Sequence, residues 1–136
     1  QFTSRQLIKW RNPLYDDIRN TIARNTLVFL VEDEILSREG KKKYDEFEHT
    51  VEEKIKNAVA GKTLTASVGK LYGFTFGDFE TFVLYPQARR EVMRDDFGDE
   101  EQFAAWFEDA KKKHRVNFFF MPYTWEGGGV KNPSQK

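Results

Sequence analysis

Carboxylates and imidazoles are the side chains of this sequence best able to hold a metal ion or move a proton. Glu32-Asp33-Glu34, taken with Asp78 and Glu80, supplies the acids that a two-metal phosphodiesterase needs. Asp78 and Glu80 are two residues apart at the start of a β-like run, and that spacing puts both on one face of a strand. Nuclease cores of this kind usually add a nearby lysine, but Glu80 is followed by Thr81-Phe82. Carboxylates at strand edges and on helices are ordinarily just solvated. His49 and Glu53 stand one helical turn apart and could donate two metal ligands. They lack a third, because His114, the other histidine, sits in a cationic run. Asp96-Phe97-Gly98 spells the magnesium-binding tripeptide of kinases. The chain carries neither the phosphate loop nor the catalytic loop that gives this tripeptide its meaning, so Gly98 reads as a helix break. Gly127-Gly128-Gly129 lacks the Lys-Ser/Thr that completes a phosphate loop and reads as flexible chain. No nucleophile elbow or Ser-His-Asp arrangement is present. These residues imply no catalytic set, no metal site and no cofactor, and the chain leans away from being an enzyme.

The stretch KKKHRVNFFFMPYTW, residues 111 to 125, offers a different chemistry. Lys111, Lys112, Lys113 and Arg115 could contact phosphates while Phe119, Tyr123 or Trp125 stack on bases, as in modules that bind RNA or single-stranded DNA. Lys41-Lys42-Lys43 and Arg89-Arg90 add further cations. A plainer reading fits the same residues. Cations in the last turn of a helix complement its dipole, and an apolar run after them is a strand. In that strand Val116, Phe118 and Phe120 face one way, Asn117, Phe119 and Met121 the other. The apolar second face is either covered by a helix or open as an interaction surface.

Composition weighs on this choice. The chain has 136 residues, 22 Lys plus Arg against 22 Asp plus Glu, and so no net charge. Nucleic-acid binders usually carry a basic excess. The absence of cysteine excludes disulfides, zinc ribbons, cysteine nucleophiles and iron–sulfur clusters. No apolar run nears the ~20 residues of a membrane helix, and Asn132 is followed by Pro133, so no glycosylation sequon exists. The start at Gln1 rather than Met is that of a processed chain or an excerpt. Nothing points to a compartment.

The elements that must position these groups follow from periodicity. Asn12-Pro13 reads as a helix start, with Leu14, Ile18 and Ile22 at spacings of four and Tyr15 beside them, running to about Arg24. Thr26 to Val31 is β-rich, yet Glu32-Asp33-Glu34 shows no strand alternation and Gly40 resembles a helix stop, so helix is favoured there. Tyr44, Phe47, Val51, Ile55, Ala58 and Val59 form the stripe of a helix over 41–60. Three antiparallel strands are then expected: Leu64 to Val68, Leu71 to Phe76 and Phe79 to Tyr85. Pro86 starts a helix from Gln87 to about Arg94. Another begins near Asp99 with Phe103, Trp106, Phe107 and Ala110 on one face, and the last strand is Val116 to Trp125.

The expected fold class is α+β: N-terminal helices, then a small antiparallel sheet of about four strands with two further helices packed on it. Residues 1–136 would form a single domain with a short arm over about 1–11 and a flexible polar tail over about 126–136. With 13 Phe, five Tyr and three Trp, the chain holds more aromatics than a domain this size needs. Aromatic residues are enriched in protein–protein contacts. The expected function is a non-catalytic structural or protein-interaction subunit of a larger assembly. Trp10, Phe119, Met121, Tyr123 and Trp125 would be its contact surface, with protein partners or self-association implied. The nucleic-acid module is the alternative and the phosphodiesterase the third reading.

Overall fold

A computed structural model describes residues 4–60, 73, 75–119 and 121–131, the first ten of these by backbone alone. Its regular elements are overwhelmingly helical. They are α1 (Ser4–Lys43), α2 (Phe47–Val59), a single turn α3 (Phe76–Phe79), a π-helical segment (Glu80–Leu84), α4 (Tyr85–Phe97) and α5 (Glu100–Lys113). A two-stranded antiparallel sheet, β1 (Thr124–Glu126) with β2 (Gly129–Lys131), follows them. The residues form two compact units, one from Gln1–Glu32 and Lys111–Lys136, the other from Asp33–Ala110.

The helix expected from Pro13 is longer at both ends. α1 runs without a break for 40 residues, and Pro13 and Gly40 both lie inside it. Residues 4–11, expected as an arm, belong to this helix, where Arg5, Gln6, Leu7 and Lys9 are good helix formers on the N-terminal side of the proline. The β-rich run is helical too. Thr21 and Thr26 satisfy their hydroxyls by donating to the carbonyls of Asp17 and Ile22, each at 2.8 Å, which removes part of threonine's objection to a helix. Gly40 ends nothing: Tyr44 N–H still donates to its carbonyl at 2.9 Å. It is buried, and a Cβ there would lie 2.4 Å from the Phe47 ring. The glycine lets an aromatic side chain press directly on helix backbone.

In the unit 33–110 the core consists of Ile35 and Leu36 from α1, Phe47, Val51 and Ile55 from α2, Ala88 and Met93 from α4, and Phe103, Phe107 and Ala110 from α5. The four-residue spacing of Phe47, Val51 and Ile55 fixes the face that α2 turns inward, against α4. Ala58, placed on that stripe by the sequence, is exposed. Gly98 closes α4 in the left-handed region at φ 68°, its N–H donating to Arg94 O at 3.2 Å. Asp99 opens α5 by accepting from Glu101 N–H at 2.9 Å.

The expected four-stranded sheet is absent from the described residues. The proposed strand Leu64–Val68 and most of Leu71–Phe76 lie outside them. Phe79–Tyr85, expected as the third strand, is helical. Thr75 caps it, its Oγ1 accepting from Asp78 N–H at 3.1 Å. Pro86 explains the π-helical turn: a proline has no N–H to donate and its ring collides with the carbonyl four residues back. The backbone widens just before it, with Tyr85 N–H reaching Glu80 O. The expected strand Val116–Trp125 shrinks to Thr124–Glu126. Its partner is in the tail taken for flexible chain. Gly127 and Gly128, at φ 59° and 85°, make the two-residue turn that pairs Trp125 with Val130. Positive φ at both central residues matches the right-handed twist of a hairpin.

Candidate interaction surface

The first unit holds one face of α1 against its C-terminal segment and leaves the other in solvent. On the held side, Asn20 Oδ1 accepts from the Tyr123 hydroxyl at 3.2 Å, and Glu32 pairs with Lys111 at 3.3 Å. Val31 is buried there, and Ala23, Arg24, Leu27 and Val28 are half-buried. On the solvent side stand Leu14, Tyr15, Ile18, Ile22, Phe29 and Leu30, between 44% and 64% exposed. At about 100° per residue these six fall within an arc of roughly 160°. Single exposed leucines are normal on any protein, but a contiguous band along four turns of one helix is a feature of binding surfaces.

The basic-aromatic stretch is divided by the fold. Lys111 is buried at 8% and paired with Glu32, and its carbonyl accepts from Trp125 Nε1 at 3.1 Å. Tyr123 is buried at 9%. Trp125 is half-buried in β1. These three residues hold the unit together and present no open ring or free ammonium. Lys112, Lys113 and Arg115 are exposed. Phe119, at 77%, is the most exposed large apolar residue among those described, and Met121 is 51% exposed. Residues 114–119 are irregular chain, so the two faces expected of a strand are not formed there. Trp10 lies in α1, but its side chain is outside what the structure describes.

The acids that the sequence offers for a two-metal cluster lie on separate elements. Asp78 is in α3 and Glu80 in the π-helical turn, and residues two apart on a helix point to different sides. Asp33 is committed elsewhere. It accepts from Arg89 Nη1 at 2.7 Å, in a half-buried cluster that also contains Glu48 and Ser37, whose Oγ donates to Glu48 at 3.0 Å. Burial pushes the Asp33 carboxyl above its ordinary range, more than the adjacent Arg89 guanidinium lowers it. Arg89 Nε is 3.5 Å from Glu48 Oε1, close enough to feel the charge. The geometry gives no hydrogen bond, however, and Asp33 Oδ1 also lacks one among the described residues. No group of three or more candidate ligands is positioned to hold a metal among the described residues.

A groove of about 870 Å³ in the second unit is lined by Lys43, Tyr44, Glu53, Lys54, Asp95 and Asp96, with Phe47 and Val92. Its cations are matched by its own acids. Lys43 meets Asp96 at 2.5 Å and also lies over the Phe97 ring at 4.5 Å. Lys54 meets Asp95 at 3.1 Å and Glu91 at 3.5 Å. Hydrogen bonds from Lys43 and Tyr44 hold the Asp96 carboxyl below its usual range. Both lysines are thus taken up by acids, and the lining as a whole is acidic, with Asp45, Glu46, Glu53, Asp95 and Asp96 against Lys43 and Lys54.

The band on α1 is therefore the surface of clearest chemical character. Its signal was present in the sequence as Leu14, Ile18 and Ile22, but Phe29 and Leu30 join it only once the β-rich run is helical. No helix among the described residues is long and apolar enough to cross a membrane. No protein-family model matches the sequence, and no curated protein or solved structure is detectably similar to it.

Proposed function

We propose that the chain is a non-catalytic interaction subunit that docks on protein through the solvent face of α1. The band from Leu14 to Leu30 carries this reading. Six half-exposed large side chains leave roughly 100 Å² of apolar surface each in water, about 600 Å² in total. At about 25 cal/mol per Å² their burial returns on the order of 15 kcal/mol, comparable to the roughly 4–15 kcal/mol cost of association. A band this size supports binding, whereas Phe119 and Met121 alone would not. The test is Ile18→Glu/Ile22→Glu in the full chain, followed by circular dichroism, hydrophobic-dye binding and light scattering. The expected result is unchanged helix content with loss of both dye binding and association. Wild-type protein that neither associates nor binds dye would refute the docking role.

The nucleic-acid reading retains Lys112, Arg115 and Phe119, exposed within eight residues of one another. Salt-dependent oligonucleotide binding that is lost on Lys112→Glu/Arg115→Glu would favour it. Lys111 is unsuitable for that test because its charge is needed in the fold.

A further inference from the structure

The occupant of the α1 face is readable from the symmetry of the face itself, given that the docking role above is correct. The outer exposed residues of the band are matched in type about Ile22, and the inner ones are paired in position without matching. Leu14 and Leu30 lie eight residues to either side, Tyr15 and Phe29 seven, Ile18 and Thr26 four, and Arg19 and Asn25 three. We infer that the partner is a second copy of this chain, packed antiparallel on α1 with a two-fold axis passing beside Ile22.

A two-fold interface must be self-complementary: if one residue contacts another, the reverse contact also occurs. The band meets that demand in one register. Ile22 faces Ile22 and Tyr15 faces Phe29 along the centre line, while Ile18 comes level with Thr26 and Leu14 level with Leu30, each pair on opposite flanks of the seam. Charge selects the orientation. Arg19 is the one charged residue within the band among the described side chains, flanked by Asp16 and Asp17. A parallel pair in register would set Arg19 level with Arg19. The antiparallel pair sets Arg19 level with neutral Asn25. It also opposes the two helix dipoles. The area is sufficient as well: about 600 Å² from each copy gives roughly 1,200 Å², the lower end of specific interfaces.

The chain has no cysteine, so single introduced cysteines report geometry without background. In the antiparallel pair, Ile22→Cys lies against its own copy. Leu14→Cys is displaced from its own copy by about 24 Å along the axis, sixteen residues at 1.5 Å each, but lies level with Leu30→Cys. The experiment treats the full-length variants with a bismaleimide of short spacer, after light scattering of the wild type at about 100 μM and circular dichroism of each variant. We expect a wild-type dimer and efficient cross-linking of Ile22→Cys. Leu14→Cys and Leu30→Cys should each cross-link weakly alone and strongly when mixed. Self-linking of Leu14→Cys that equals that of Ile22→Cys would overturn the antiparallel register. A monomeric wild type would overturn self-pairing. In that case dye binding abolished by Ile18→Glu/Ile22→Glu would leave the docking role standing with another occupant, and dye binding absent from the start would remove both.

Discussion

Replacing Gly40 with alanine tests the packing at the centre of the second unit. On helix propensity alone Gly40→Ala should stabilise the protein by about 1 kcal/mol, because glycine is the poorest non-proline residue in a helix interior. The fold opposes this. An alanine Cβ would sit 2.4, 2.5 and 2.6 Å from three carbons of the Phe47 ring, where carbon contacts normally begin at about 3.5 Å. The ring would have to retreat by about 1 Å, and it has nowhere to go. Phe47 is 1% exposed, and Leu36 and Val51 are as deeply buried. Overpacking of this kind typically costs about 1–3 kcal/mol. A displacement this large belongs at the upper end, leaving a net loss of roughly 2 kcal/mol. Urea unfolding followed by circular dichroism reads it as a lower midpoint with little change in slope. Phe47→Leu alone leaves a small cavity and costs about 1–2 kcal/mol. In the double variant the alanine no longer meets a ring, so the combined loss should fall short of the sum by about 1 kcal/mol or more. Gly98→Ala is the control. It meets no atom within 4 Å but must hold φ 68°, costing about 1–2 kcal/mol with no coupling to Phe47. A stabilised Gly40→Ala variant, or strict additivity with Phe47→Leu, would show that the helix backbone and the ring are not in contact as described.

Further measurements probe the charged contacts. Arg89→Met should cost about 3 kcal/mol because it leaves Asp33 an uncompensated half-buried anion and Glu48 with only the exposed Lys41 at 3.6 Å, whereas Asp33→Asn should cost about 1 kcal/mol, since Glu48 remains beside Arg89; equal losses in urea titrations would contradict this. Because its folded carboxyl titrates above its unfolded one, Asp33 favours the fold when protonated, and that contribution is lost as pH rises through the folded value. Asp96 has the opposite sign: its lowered carboxyl contributes above the unfolded value near 3.8 and loses that contribution as pH falls through the folded one. Asp96→Asn should therefore flatten the loss of stability below about pH 4 in an acid titration followed by circular dichroism. Lys111→Glu should lower stability by about 2–4 kcal/mol through repulsion from half-buried Glu32, while Lys112→Glu should change it by less than about 0.5 kcal/mol; similar unfolding midpoints for the two would place Lys111 at the surface.

What could be read from the sequence depended on whether a local signal had a competitor. Phe47, Val51 and Ile55 gave the inward face of α2 because nothing between them favours another period. Gly98 and Asp99 gave a helix end and a helix start by their own backbone chemistry. Gly40 has the same identity as Gly98 but a different cause, since it is required by a ring seven residues away and not by a turn. Phe79 to Tyr85 looked like a strand because its aromatic and β-branched residues favour one. The Thr75 cap, four residues earlier, outweighed that preference, and a π-helical turn absorbed Pro86. The hairpin was legible in hindsight: Gly127-Gly128 between Trp125 and Val130 is the two-residue turn that strands require, set in a tail too polar to suggest one. For the candidate surface, the spacing of Leu14, Ile18 and Ile22 announced an apolar face. Its exposure depends on Tyr123 engaging the opposite side of α1 at Asn20, and no periodicity in either segment records a contact between residues about a hundred positions apart.

That separation has a consequence for synthesis. Residues 33–110 are continuous, so the whole second unit can fold as it leaves the ribosome. The first unit joins Asn20 to Tyr123 and Glu32 to Lys111, across 103 and 79 positions. It stays incomplete until Lys111 and Tyr123 are made. Until then the side of α1 that carries Asn20 and Glu32 lacks the segment it pairs with, and Ile22 is exposed on the other. At roughly 5–20 residues per second the interval lasts about 5–20 seconds. During it, a nascent chain on a crowded polysome can pair through the wrong face of the helix. Loss of residues 111–136 would make that interval permanent, and such truncated chains should be recovered as aggregates although the unit 33–110 is intact.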